Sequence, residues 1–292
     1  PTRPLYISYA VFCLKKKNQT DYTYQQKLKL ITTNNVLATL QEVIEAKRGT
    51  VCIFCNSIDS IDSFYRLIPE LNNACTFCSE DGQYKLWKGN RRKKSIMITE
   101  LERYNFFTSR FYSAVDIVCK NPPHVILISD LYGATQSVID PATEAIQIIG
   151  RFRGGVNTVT HIASIRPDLE CMSANEIDSW IEGAASIFNG WKKQLARTSN
   201  IGERTLLQEA IGENSYLPYL DANGKPDPFL IANLYEKEQV KRLYTSADLL
   251  CNAYQQTDYF AFSHEERLMP VSDNERMAIQ HRLAKKKRAQ LI

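Results

Sequence analysis

The sequence predicts an α/β protein: a parallel sheet sandwiched by helices, followed by a mainly α-helical region. Three observations predict it. Short apolar runs such as "TVCIFC" (50–55) and "HVILIS" (124–129) read as strands buried on both faces. Between them lie segments with apolar residues every three or four positions, the spacing of one helix face. Beyond residue 166 the strand-like runs give way to helical patterns and helix-cap chemistry.

The elements follow in order. Residues 26–47 ("QKLKLITTNNVLATLQEVIEAK") carry apolar residues at helical spacing, broken by Asn34 and Asn35, with Gly49 as a stop, so a helix is expected. "TVCIFC" is a buried strand, and "SIDSFYRLIPEL" a helix capped by Ser57 or Asp59. "ACTFC" reads as a second strand, "EDGQYKLWKGNRRKK" as a polar, basic loop, and "YNFFTS" and "HVILIS" as two more buried strands. "DPATEAIQIIGRF" reads as a helix with Asp140 as cap and Pro141 in its first turn. "NTVTHIAS" alternates and closes the set. Four further stretches, from "SANEIDSWIEG" to "SDNERMAIQHR", are helical in pattern, with "NSYLPYLDANGKPD" as a turn-rich connector. Two domains are expected: residues 1–165, α/β, and residues 166–292, α-helical.

Composition narrows the function classes. Hydrophobic residues make up 44% of the 292, enough for real cores. No apolar run reaches the length of a membrane span, so no membrane partner is expected. The opening "PTRPLYISYA" has no signal-peptide pattern, and a start at Pro1 without Met reads as a fragment of something longer. Eight dispersed cysteines without a leader are expected to be free thiols in the cytoplasm. Charge is uneven: 20 Lys+Arg against 14 Asp+Glu up to Ile165, a net +6, then 16 against 18, a net −2. The first half is the better candidate for a polyanionic partner.

Two cysteine pairs, Cys52-x-x-Cys55 and Cys75-x-x-Cys78, have the spacing of a zinc ribbon. Both fall in β-rich apolar runs. In a strand, residues three apart point to opposite faces, and thiolates on opposite faces cannot share an ion. Small buried hydrophobes are the reading preferred to a metal site, and none of the four histidines reads as a ligand. A zinc-dependent nucleic-acid binder remains an alternative that metal analysis decides.

The chemistry is concentrated in "QIIGRFRGG" (147–155), which places Gln147, Gly150, Arg151 and Arg153 at the end of a helix-like run. Arginine is permanently charged and forks onto phosphate oxygens. An exposed helix end with cations at its carboxyl terminus is the structural alternative. A second stretch, "FFTSRFYSAVDI", carries Thr108, Ala114 and Asp116. Thr108, Ala114 and Asp116 resemble motif V of superfamily 2 helicases, a Thr with a Gly six on and an Asp eight on. Gln147-x-x-Gly150-Arg151-x-Arg153 resembles motif VI, and "TVCIFCNSIDSI" resembles motif IV. In order and separation they are similar to a helicase second RecA-like domain across roughly residues 25–165, and in texture the stretch resembles the branch related to herpesvirus origin-binding proteins.

The resemblance implies a RecA-like lobe forming one wall of an ATP–Mg²⁺ site and half of a nucleic-acid track, DNA ahead of RNA. Arg151 and Arg153 would be the candidate arginine fingers and Gln147 would order the nucleotide or couple it to the strand. Asp116 would lie near the ribose or the domain interface, with Gly150 in the same nucleotide-facing motif. Thr108, and Ser57 or Asn56, would contact backbone phosphates. The sequence departs from the family in placing the second arginine two residues after the first rather than three, with Gly154 in the usual place, and Ala114 where Gly is usual. Which arginine is the finger stays open. No phosphate loop or acidic tetrad occurs, so the ATP-holding lobe is expected from an amino-terminal segment of the same polypeptide. A RecA-like module that binds nucleic acid or protein without catalysis is the alternative.

Overall fold

The computed structural model describes residues 25–87, 93–98, 100–113 and 115–279. They form two compact units, one of residues 25–169 with 243–279, the other of residues 170–242.

The first unit is a RecA-like α/β fold. Its strands are β1 (Gln26–Thr33), β2 (Val51–Cys55), β3 (Cys75–Phe77), β4 (Lys93–Ser95), β5 (Tyr104–Phe107), β6 (His124–Ser129), β7 (Thr158–Ser164) and β8 (Phe260–Arg267). They lie side by side as β4-β3-β5-β2-β6-β7-β1-β8, and every pairing is parallel. Helices α1 (Val36–Glu45), α2 (Ile58–Leu67), α3 (Glu80–Trp87), α4 (Glu144–Gly150) and α8 (Ala247–Gln255) accompany them. The central strands are buried throughout, as near-continuous apolar runs in a doubly covered sheet must be.

Alternation along the strands separates two faces. On one, Ile53, Cys55, Phe106, Ile126 and Ile128 pack with Leu40 and Ile44 of α1 and Ile61 and Phe64 of α2. On the other, Phe54, Phe77 and Phe107 stack in a row, with centroids 5.0 Å apart for Phe54–Phe107 and 4.8 Å for Phe77–Phe107. Phe111, Tyr112 and Phe152 close over that row.

Three expectations need correction. Residues 26–47 are not one helix. Lys27, Leu28, Lys29 and Leu30 alternate with period two, Leu28 and Leu30 are buried, and the stretch is a strand between β7 and β8. Asn34 and Asn35 are the turn between two elements: Asn35 caps α1, its Oδ1 accepting from the Ala38 N–H at 2.9 Å. The basic "loop" contains α3 and β4, while 88–92 lie outside the described residues. Asp140 does not cap α4, which begins at Glu144; its carboxylate instead holds a turn, accepting from the Ala142 N–H and the Thr143 hydroxyl. Of the two cap candidates for α2, Ser57 serves, accepting from the Ser60 N–H at 3.0 Å.

The boundary near 165 also needs revision. Residues 170–242 form the helical unit, with α5 (Ala174–Arg197), α6 (Ile201–Gly212) and α7 (Pro228–Leu243). A capping box of Ser173 and Glu176 starts α5, and Asn200 caps α6. Inside it Phe188 meets Tyr216 and Trp180 meets Tyr219, so these tyrosines pack rather than present open rings. The chain then returns to the sheet: Tyr244 and α8 pack on β6 and β7, and β8 pairs with β1 over its full length. The expected helical domain therefore surrounds a strand that completes the α/β core. The basic "KKKR" near the carboxyl end and His281 lie outside the described residues. Among the described residues no helix is long and apolar enough to cross a membrane.

Candidate functional site

Two groups of sequence-selected residues take their places on this frame. The first descends along α4. The helix leads from the carboxyl edge of the sheet, where the Tyr244 hydroxyl donates to the Ile139 carbonyl, toward the amino edge, reached where the Asn157 N–H donates to the Pro123 carbonyl. Ala145, Ile148 and Ile149 bury one side of α4, which leaves the other side to Gln147, Gly150 and Arg151. Phe152 is the pivot. It is buried edge-on against Phe54 at 6.1 Å and 84°, so the two arginines flanking it are held at the surface by an aromatic anchor.

Asp116 comes from the loop that follows β5. The Ile117 N–H donates to the Arg151 carbonyl at 2.9 Å, and Arg153 Nε bonds Asp116 Oδ1 at 3.1 Å. The Arg153 side chain is 70% exposed and that of Asp116 47%, so this is a solvent-facing pair of small stabilising value. Arg151 folds back, Nε donating to the Gln147 carbonyl at 3.0 Å. Among the described residues nothing engages the Nη groups of either arginine. Gly150 has no steric reason to be glycine: a Cβ there would meet nothing within 4 Å. Gly155 does, with φ +79°. Ala114 lies outside the described residues.

The second group sits at the carboxyl ends of the neighbouring strands β2 and β5. Ser57 is buried and committed to its cap, and Thr108 is buried with its hydroxyl directed at the Phe77 carbonyl at 3.4 Å. Asn56 is the more accessible of the three, its amide donating to the Gln136 carbonyl at 3.4 Å. The groups share one support: Phe54 lies two residues before Asn56, Phe107 immediately before Thr108, and Phe152 between the arginines, and the Phe54 ring touches both of the others.

Sequence reading missed Asp130, directly after β6. It is 3% exposed; its carboxylate accepts from the Ser60 hydroxyl at 3.1 Å and the Gly133 N–H at 3.0 Å. Burial, with the nearby Asp273 carboxylate, pushes its pKa up, while Gly133, Ser60 and Arg276 oppose this. Gly133 leaves it room, since a Cβ there would lie 2.3 Å from Asp130 Oδ2. The signal was present: an acid immediately after a continuous apolar strand, at the edge where parallel sheets gather their polar groups.

The cysteine pairs do not converge. Cys55 belongs to the α1–α2 face and Cys52, one strand position out of phase, to the other. Among the described residues no group of three or more His, Cys, Asp or Glu could hold a metal ion. The described histidines have protein partners: His124 bonds Thr158 and the Arg48 carbonyl, His161 bonds Ser129 and Tyr254, and His264 bonds Thr32. Neither a protein-family model nor a curated protein sequence matches the chain.

Proposed function

We propose that the α/β unit is the second motor lobe of an ATP-dependent nucleic-acid helicase or translocase of the superfamily 2 kind. One observation carries the reading. Asp116 and Arg153, selected from stretches 37 residues apart, meet in an exposed ion pair beside Arg151 at the surface of the α/β unit. Core packing asks for none of this, and the Nη groups engaged by no described residue suit the oxygens of a polyphosphate. ATP with Mg²⁺, held mainly by a P-loop lobe of the same polypeptide, supplies the phosphoryl group. Arg151 and Arg153 stabilise negative charge at its γ-phosphate, Gln147 and Gly150 line the approach, and Asp116 orients Arg153 and faces the ribose. Asn56, backed by Ser57 and Thr108, contacts the strand backbone, DNA ahead of RNA, which positions the strand without reading its sequence. A cytoplasmic setting accords with the free thiols.

The test is nucleic-acid-stimulated ATP hydrolysis by the intact polypeptide. Arg153→Ala or Arg151→Ala is expected to lower turnover by roughly 10³-fold, the range of an arginine finger. Near-normal turnover in both variants rejects the reading. A non-catalytic binding module is the second reading, favoured by the ion pair itself, which already neutralises one guanidinium. It requires an intact polypeptide that binds nucleic acid without hydrolysing ATP.

A further inference from the structure

The strands run parallel, so the carboxyl ends of β5, β2, β6 and β7, neighbours in that order, open on one edge of the sheet. Thr108 follows β5, Asn56 follows β2, residues 130–137 follow β6, and Arg166 stands two residues beyond β7. At about 4.8 Å per strand interval this row is roughly 14 Å long. That is the length of about four stacked nucleotides at ~3.4 Å each. The middle of the row is a loop held by buried polar groups. The Asp130 N–H donates to the Ser137 hydroxyl at 2.8 Å, and the Gly133 and Ala134 N–H groups donate to the Asp130 carboxylate and carbonyl. The Leu131 N–H donates to the Ser164 hydroxyl of β7 at 2.8 Å. Leu131, Ala134 and Ser137 are buried, Thr135 and Gln136 are exposed, and Tyr132 is half-buried at the surface. Arg166 reaches over Tyr132, its guanidinium carbon 5.8 Å from the ring centroid. Its backbone is fixed by the N–H bond to the Tyr244 carbonyl at 2.9 Å, and its Nε meets exposed Asp168 at 3.3 Å. At 5.8 Å the ring contact lies close to the limit of a cation–π interaction, so the pair adds little to folding.

We propose that Tyr132 and Arg166 are a base-stacking platform for single-stranded nucleic acid, set beside the backbone contact made by Asn56. The ring and the guanidinium are both flat, and every base has a π-face to lay on such a surface, so the platform holds a strand without reading its sequence. Asp130 acts from beneath as a positioning residue, fixing the loop that carries Tyr132 without touching the strand. The inference rests on the helicase or translocase reading and extends it to two residues outside the stretches from which that reading came.

The test is binding of the intact polypeptide to a short labelled oligothymidylate and to an oligomer of equal length made of abasic sugars, both followed by fluorescence anisotropy. The wild type is expected to favour the thymidylate by roughly tenfold or more. Tyr132→Ala removes the preference and leaves affinity for the abasic oligomer, which rests on phosphate contacts, unchanged. Tyr132→Phe keeps the ring and keeps the preference. Arg166→Lys keeps the charge but loses the flat face, and its preference falls between those of wild type and Tyr132→Ala. Comparing two ligands on one variant separates a lost base contact from a disturbed loop. A wild type that binds both oligomers equally, or a Tyr132→Ala variant that keeps the preference, overturns the platform and leaves the helicase reading standing. A wild type that binds neither oligomer overturns that reading and the platform with it.

Discussion

His161 sits on β7 with no solvent exposure, between the Ser129 hydroxyl, 3.0 Å from Nε2, and the Tyr254 hydroxyl, 2.8 Å from Nδ1. Burial lowers its pKa to about 3 from 6.5. The ring is neutral in the fold, while in the unfolded chain it gains a proton as pH falls through 6.5. A base with a depressed folded value contributes stability above its unfolded pKa and loses it as pH falls toward the folded one. From this residue alone, unfolding free energy is expected to fall by about 1.4 kcal/mol per pH unit below about 6.5. Urea midpoints across pH 7 to 4 should show His161→Gln with a shallower acid slope than wild type. Equal slopes would contradict the assignment.

Among the elements, the segment after β8 does most to explain what the sequence concealed. Residues 269–276 lie as a strap on the Asn34–Asn35 turn. The Met269 N–H donates to Asn34 Oδ1, Asn34 Nδ2 to the Met269 carbonyl, Asn35 Nδ2 to the Val271 carbonyl, and the Asp273 N–H to the Asn34 carbonyl. Asp273, fully buried, accepts the Val36 N–H at the start of α1 and pairs with Arg276 at 2.8 Å. Two asparagines that spoil a helical pattern are thus a docking turn for residues more than 230 positions away. No local periodicity can reveal that. The strand before them was legible, since its Lys-Leu alternation has period two, but it was submerged in a longer window counted at helical spacing. β8 was missed because "FAFSHEER" is an edge strand whose second half is polar and only partly buried, so it leaves no continuous apolar run. Asn34→Ala is expected to speed hydrogen exchange of 268–276 at least tenfold and leave β2 and β6 unchanged; unaltered exchange of the strap would contradict its docking role.

At the scale of the whole molecule, the α/β unit is discontinuous in sequence, closed by residues 243–279 after the helical unit has been inserted. The parallel sheet was readable from "VCIFC", "YNFF" and "HVILIS" because strands buried on both sides leave continuous apolar runs. The candidate site was readable in part. Sequence order picked out Asp116 and Arg153, but only the fold reveals that Phe152 anchors the arginines to Phe54, and that Ser57 and Thr108 spend their hydroxyls on local structure. The central claim is that Arg151 and Arg153 are surplus to folding and face a nucleotide. The most direct measurement sets equilibrium unfolding of the Arg151→Ala/Arg153→Ala double variant beside its ATP turnover in the intact polypeptide. Because both guanidiniums are surface groups with little to lose, unfolding should stay within about 0.5 kcal/mol of wild type, while hydrolysis falls by roughly 10³-fold or more. A variant that unfolds readily, or one that hydrolyses ATP at the wild-type rate, would contradict the account.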